Sequence, residues 1–127
     1  MRNELLISKF EFILDSVSLI QTWFSEITTA DDYLKTSSGR SHFDATLMRL
    51  QSIGETLKKI DKENPEILQK HNEVNWHEII KLREIISHHY EQLSPEIIYN
   101  ICRYDIPDLK TSVEGIIATL NKNLPAR

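Results

Sequence analysis

The chain has 127 residues, a single cysteine and a formal net charge of −4, which suits one domain with its own apolar core and no need of disulfides or a structural metal. That charge excludes a general nucleic-acid coat, whose binding rests on many Lys and Arg contacts to phosphates, and leaves room for a small basic site. None of the three glycines falls in a phosphate-cradling pattern such as G-x-x-x-x-G-K, no apolar run nears the roughly 18 to 20 residues that cross a bilayer, and no internal repeat is present.

The N-terminal stretch MRNELLISKFEFILD interrupts its apolar positions with charges, and Leu6, Phe10, Ile13, Val17, Ile20, Phe24 and Ile27 recur at spacings of four and three, the seam of a long helix. Leu5, Phe12, Leu14, Leu19 and Trp23 widen that seam, so this helix is expected to touch two neighbours or a partner subunit. TTADDYLKTSSGRS, with Gly39 and small polar residues, reads as a short helical turn and a loop, with Asp31 and Asp32 solvated. A second long helix is expected to start at Ser41, capped with Asp44, and to bury Phe43, Leu47, Leu50, Ile53, Leu57 and Ile60. Asn64-Pro65 opens a brief helix. Asn75, with Glu78 placed to bond back, caps the helix that contains KLREIISHHY. Ser94-Pro95 starts another, and Asp105 with Pro107 restarts the last, whose seam is Leu109, Val113, Ile116 and Leu120. No stretch alternates as a strand. The predicted fold is all-α, an antiparallel bundle of four main helices plus short ones in a single domain over residues 1–127. Cys102 cannot form an internal bridge, which points to a reducing, cytoplasmic setting.

Arg83, Ser87, His88 and Tyr90 are more than packing requires of the helix that Asn75 caps. With Arg83 at zero and about 100° per residue, Ile79, Leu82, Ile86 and Leu93 fall between roughly 260° and 320°, the core face. Ser87 and Tyr90 fall within about 40° of Arg83, Glu84 near 100° and His88 near 140°. Arg83 and His88 are thus too far apart to meet easily over one straight helix. Two copies related by a two-fold axis would bring both pairs into one cleft, with Ile80, at about 60°, buried in the contact. His89, at about 240°, lies at the edge of the core face and is expected to be packed and hydrogen-bonded. His42, His71, His77, His88 and His89 match no metal-ligand spacing, so neither metal nor cofactor is expected. Trp23 and Trp76 stand among leucines and isoleucines and read as core.

The R-x-x-x-x-H-x-Y formed by Arg83, His88 and Tyr90 resembles the motif of HEPN toxins of the HepT type, which are paired with minimal nucleotidyltransferase (MNT) antitoxins. NPEI at Asn64 to Ile67, WHEIIKLR at Trp76 to Arg83 and SPEIIYNICRYDIPDLK at Ser94 to Lys110 are similar to that family's flanks. FDATLMRLQSIGETLKKI at Phe43 to Ile60, with I-G-E at Ile53 to Glu55, is similar to its second helix. Two positions depart from the pattern. Glu84 stands where the family usually has a small polar residue, and His89 fills the variable position.

The resemblance implies a homodimeric, metal-independent ribonuclease toxin that cuts mRNA or tRNA. In that reading His88 exchanges a proton with the ribose 2′-OH or the leaving oxygen, and Arg83 grips the scissile phosphate. Glu84 and Ser87 support them, Lys81 and Arg103 are outer RNA contacts, and the antitoxin silences the toxin by transferring AMP to Tyr90. Glu84 could neutralise Arg83 or orient His88 four residues on. If it neutralises Arg83, the alternative is a catalytically inactive HEPN-type dimeric adaptor, or a nucleotide-binding accessory of a nucleotidyltransferase.

Overall fold

The computed structural model describes residues 2–123. Seven α-helices follow in order: α1 (Arg2–Phe24), α2 (Asp32–Lys35), α3 (Ser37–Glu63), α4 (Pro65–Lys70), α5 (Trp76–His88), α6 (Pro95–Asn100) and α7 (Ile106–Lys122). A 3-10 turn at Tyr90–Gln92 precedes α6, and a π-helical turn at Ile101–Asp105 joins α6 to α7. No strand occurs among the described residues, so the fold is all-α as the sequence predicts. No helix among them is long and apolar enough to cross a membrane.

The helical seams are where the periodicity puts them. Phe10, Ile13 and Ile20 of α1, Ile53, Leu57 and Ile60 of α3, and Leu109 and Val113 of α7 are fully buried, and each such side chain contributes about 1.5–3 kcal/mol on leaving water. As expected, α1 has two neighbours, α3 and α7, while α3 also packs on α5. Trp76 is buried and Trp23 packs against the core. Polar pairs fix the directions. Lys9–Glu63, Ser16–Arg49 and Glu26–His42 join α1 and its following loop to α3 head to tail. Glu55–Arg83 and Gln51–Ser87 do the same for α3 and α5. Both helix pairs are therefore antiparallel.

Two expected boundaries are corrected. The predicted loop around Gly39 and the start at Ser41 give way to a helix beginning at Ser37, where the Thr36 side chain accepts from the Gly39 N–H at 2.9 Å. Gly39 is buried because α2 crosses it: a Cβ there would lie 2.0 Å from the Asp32 carbonyl oxygen. Ser41 and Asp44 are consequently interior residues of α3. The last helix does not restart at Asp105 either, since residues 95–122 form one helical run. Pro107 has no N–H to give the carbonyl four residues back. The chain adjusts one turn earlier, where the Ile106 N–H donates to Ile101, five residues back, the signature of a π turn.

The remaining starts agree with the reading. Pro65 and Pro95 open α4 and α6, the Ser94 hydroxyl accepts from the Glu96 N–H, and Asn75 Oδ1 accepts from the Glu78 N–H. These caps set the N-terminus of α5, and so the rotation of every residue after it.

Candidate active site

Gly54 lets α5 approach α3. A Cβ at that position would stand 2.8 Å from the Arg83 Cβ and 3.2 Å from the Ile79 carbonyl oxygen, so the absent side chain forms the seat on which Arg83 rests. From that seat the guanidinium reaches two carboxylates. Its Nε donates to Glu55 Oε1 at 3.2 Å, with Nη2 also 3.2 Å from that oxygen, and its Nη1 donates to Glu84 Oε1 at 2.6 Å. The other oxygen of Glu84 lies 3.4 Å from His88 Nε2.

Among the described residues Arg83 and His88 make no direct bond, and a single carboxylate links them. Glu84 lies between them round the helix and holds one with each oxygen. Glu84 thus stands close to both partners, 2.6 Å from Arg83 Nη1 and 3.4 Å from His88 Nε2. Arg83 is mostly buried, while the His88 side chain is exposed at the last position of α5. The two hydrogen bonds leave three of the five guanidinium N–H groups for an incoming anion. With one cation between two carboxylates, a phosphate docking on Arg83 must compete with Glu55 or Glu84.

Further along the same helical edge, Ser87 Oγ accepts from Gln51 Nε2 at 2.8 Å. Ser87 therefore fastens α5 to α3 and makes no bond to Arg83 or His88. The helix ends at His88, so Tyr90 is not on its face as the wheel assumes. It lies in the 3-10 turn, half exposed, and its hydroxyl donates to Asp44 Oδ1 at 2.5 Å. Accepting that bond, the Asp44 carboxylate raises the Tyr90 phenol above its ordinary pKa, with a smaller push from burial.

His89 is another correction. It is exposed at the C-cap, with φ −134° and ψ 34°, because the chain leaves the helix there and turns the side chain off the core face. Lys81 points to the opposite flank of α5. There it lines a groove of about 560 Å³ between α5 and the α6–α7 run, together with Ile85, Ile97, Glu78, Asp105 and Asp108. Arg103 donates to the Tyr99 hydroxyl and lies over the Tyr104 ring, away from the Arg83 cluster. His42 pairs with Glu26 and His71 with Glu73, and no three metal-binding side chains converge among the described residues.

The residues that sequence reading gives no part in the site are Glu55, Gln51 and Asp44, the α3 half of the seam. Their spacing of seven and four puts them on one edge of that helix, a stripe visible in the sequence once α3 is known to face α5.

An all-α chain that links an arginine and a histidine through one carboxylate near an exposed helix end carries side chains chemically able to bind phosphate and to exchange protons. Residues 13–116 match the family described as "Ribonuclease HepT-like", and the chain belongs to that family. It is 30% identical over 111 residues to "Gamma-glutamylcyclotransferase and putative RNase MJ0434" of Methanocaldococcus jannaschii, a match spanning 87% of this chain and 47% of that protein. The chain thus spans less than half of that relative. It is also 28% identical over 106 residues to "Probable ribonuclease HepT" of Thermococcus cleftensis, covering 84% of this chain and 90% of the other. A further relative, "Putative RNase MJ0127" of Methanocaldococcus jannaschii, is 29% identical over 94 residues, 74% of this chain and 73% of its own length. No solved structure matches.

Proposed function

We propose that this chain is a metal-independent endoribonuclease toxin that works as a homodimer in the cytoplasm, cutting mRNA or tRNA, and is silenced when an MNT-type nucleotidyltransferase adds AMP to Tyr90. The observation that carries the reading is the single Glu84 carboxylate that holds Arg83 and His88 together. An imidazole can take a proton from a ribose 2′-OH, and a guanidinium can stabilise the charge that builds on the phosphate, without a metal ion. His88 has the exposure that a proton carrier needs. Arg83 has the fixed seat that phosphate positioning needs. Pairing of two α5 surfaces across a two-fold axis would supply a second imidazole, so that one acts as base and the other as acid. Ile80, half-buried, and the exposed Met48 on α3 lie near enough in sequence to the seam to join such a contact. Lys81 would serve as an outer contact at the lip of the groove.

A specific observation favours the second reading, a non-cleaving HEPN-type adaptor or nucleotide-binding accessory: Arg83 already has two carboxylate partners. Cleavage decides between them. Purified wild type in excess chelator is expected to cut single-stranded RNA, with His88→Ala and Arg83→Ala each losing about 10²- to 10⁴-fold in rate. Light scattering is expected to give the mass of a dimer. Equal cutting by wild type and His88→Ala would assign the activity to a contaminant and leave the adaptor reading standing.

A further inference from the structure

Asp44 stands in the interior of α3, where aspartate is a poor helix former, and the helix start at Ser37 leaves it no capping work. Among the described residues its side chain has one partner, the Tyr90 hydroxyl at 2.5 Å. Both groups are open to solvent: Asp44 is exposed and Tyr90 is half exposed. A reagent can therefore reach the phenol oxygen while the carboxylate holds its proton.

We propose that Asp44 is the general base for nucleotide transfer to Tyr90, so that the chain being modified supplies the base for its own modification. The proposal rests on the reading of Tyr90 as the AMP acceptor. Tyr90 Oη forms a bond to the α-phosphorus of ATP as the bond from that phosphorus to the β-bridging oxygen breaks. Pyrophosphate leaves with the electron pair, and the phenolic proton passes to Asp44 Oδ1. ATP and its divalent cation arrive with the nucleotidyltransferase. An aspartate receiving the hydroxyl proton of the attacking group is the arrangement protein kinases use; here the acceptor chain carries it.

The electrostatics make such a base necessary. A phenol with an ordinary pKa near 10 is about 0.1% ionised at pH 7, and the Asp44 bond moves Tyr90 further from ionisation. Attack by free phenolate is suppressed, so the proton must leave as the new bond forms. Among the described residues the only acceptor bonded to it is Asp44.

The test follows AMP addition by intact mass with a purified MNT-type nucleotidyltransferase, Mg²⁺ and ATP, from pH 6 to 9, on wild type, Asp44→Asn and Tyr90→Phe. Asparagine keeps an oxygen that can accept the Tyr90 bond and so preserves the hold while removing the base. Asp44→Asn is expected to be roughly a hundredfold slower than wild type at pH 7. Its rate should climb about tenfold per pH unit as phenolate forms, while wild type stays nearly flat. Asp44→Asn reacting at the wild-type rate with the wild-type pH profile would overturn the role of Asp44 and leave Tyr90 as acceptor. No added mass on wild type, or equal mass on Tyr90→Phe, would overturn the acceptor reading and this proposal with it.

Discussion

The two flanks of α5 use the same kinds of residue to opposite ends. On the α3 side, Glu55, Glu84 and Asp44 are each matched to a donor: Arg83 for the first two, with His88 sharing Glu84, and Tyr90 for the third. On the α7 side, Glu78, Asp105 and Asp108 line a groove floored by isoleucines, and none of them makes an ion pair among the described residues. Burial, with Asp108 beside it, holds the Asp105 carboxyl above its usual range. An unmatched acidic wall repels a polyanion, whereas a carboxylate already paired with a guanidinium can be exchanged for a phosphate. On the proposed reading RNA is therefore expected along the paired α3 flank, with Lys81 touching it only from the edge of the acidic wall.

The contrast is broken most severely at the seat of Arg83. Gly54→Ala is expected to destabilise the protein by about 1–3 kcal/mol, because its methyl group meets the Arg83 Cβ and the Ile79 backbone rather than a flexible tip. Gly115→Ala, in open space on α7, should gain up to about 1 kcal/mol from helix propensity. Thermal melting of the two variants checks this, and equal shifts in one direction would refute a tight α3–α5 contact.

A smaller effect sharpens the exchange argument. Glu55→Gln keeps an acceptor for Arg83 and removes one of the two competing charges. Binding of a short single-stranded RNA should tighten by about 0.5–1 kcal/mol, a few-fold in Kd, in a fluorescence anisotropy titration at fixed salt. Unchanged affinity would mean that phosphate does not displace this carboxylate.

The smallest expected change lies on the other flank. Because the folded-state pKa of Asp105 is raised, its contribution favours the fold only at pH below its unfolded value of 3.8 and is lost as pH rises through the folded value. Asp105→Asn should therefore stabilise at pH 7, by less than about 0.5 kcal/mol, and give no gain at pH 3. Denaturant melts at the two pH values test the sign.

Legibility followed the range of the interactions. The seams of α1, α3 and α7 could be read because burial repeats at the helical period, and the starts at Asn75, Ser94-Pro95 and Asn64-Pro65 because caps act over a few residues. Gly39 was opaque: a glycine that admits a crossing helix and one that makes a turn look alike in sequence. The single run through α6 and α7 was hidden because a π turn, not a break, answers Pro107. In the site, Arg83, Glu84 and His88 were legible from a local motif, and so was the nearness of Glu84 to both, since neighbours four apart share a helix face. Glu55, Gln51 and Asp44 come from another helix, and their parts depend on the packing that Gly54 permits. Tyr90 was found as a residue and misplaced as a position, because the helix stops at His88.

The most direct measurement is an NMR titration of the 15N-labelled chain with a single-stranded RNA whose 2′-hydroxyls are methylated, so that it binds and is not cut. Shifts concentrated at Glu55, Arg83, Glu84 and His88, with Glu78, Asp105 and Asp108 unmoved, are the predicted result. Perturbation of the groove residues while the Arg83 seam stays silent would contradict the account.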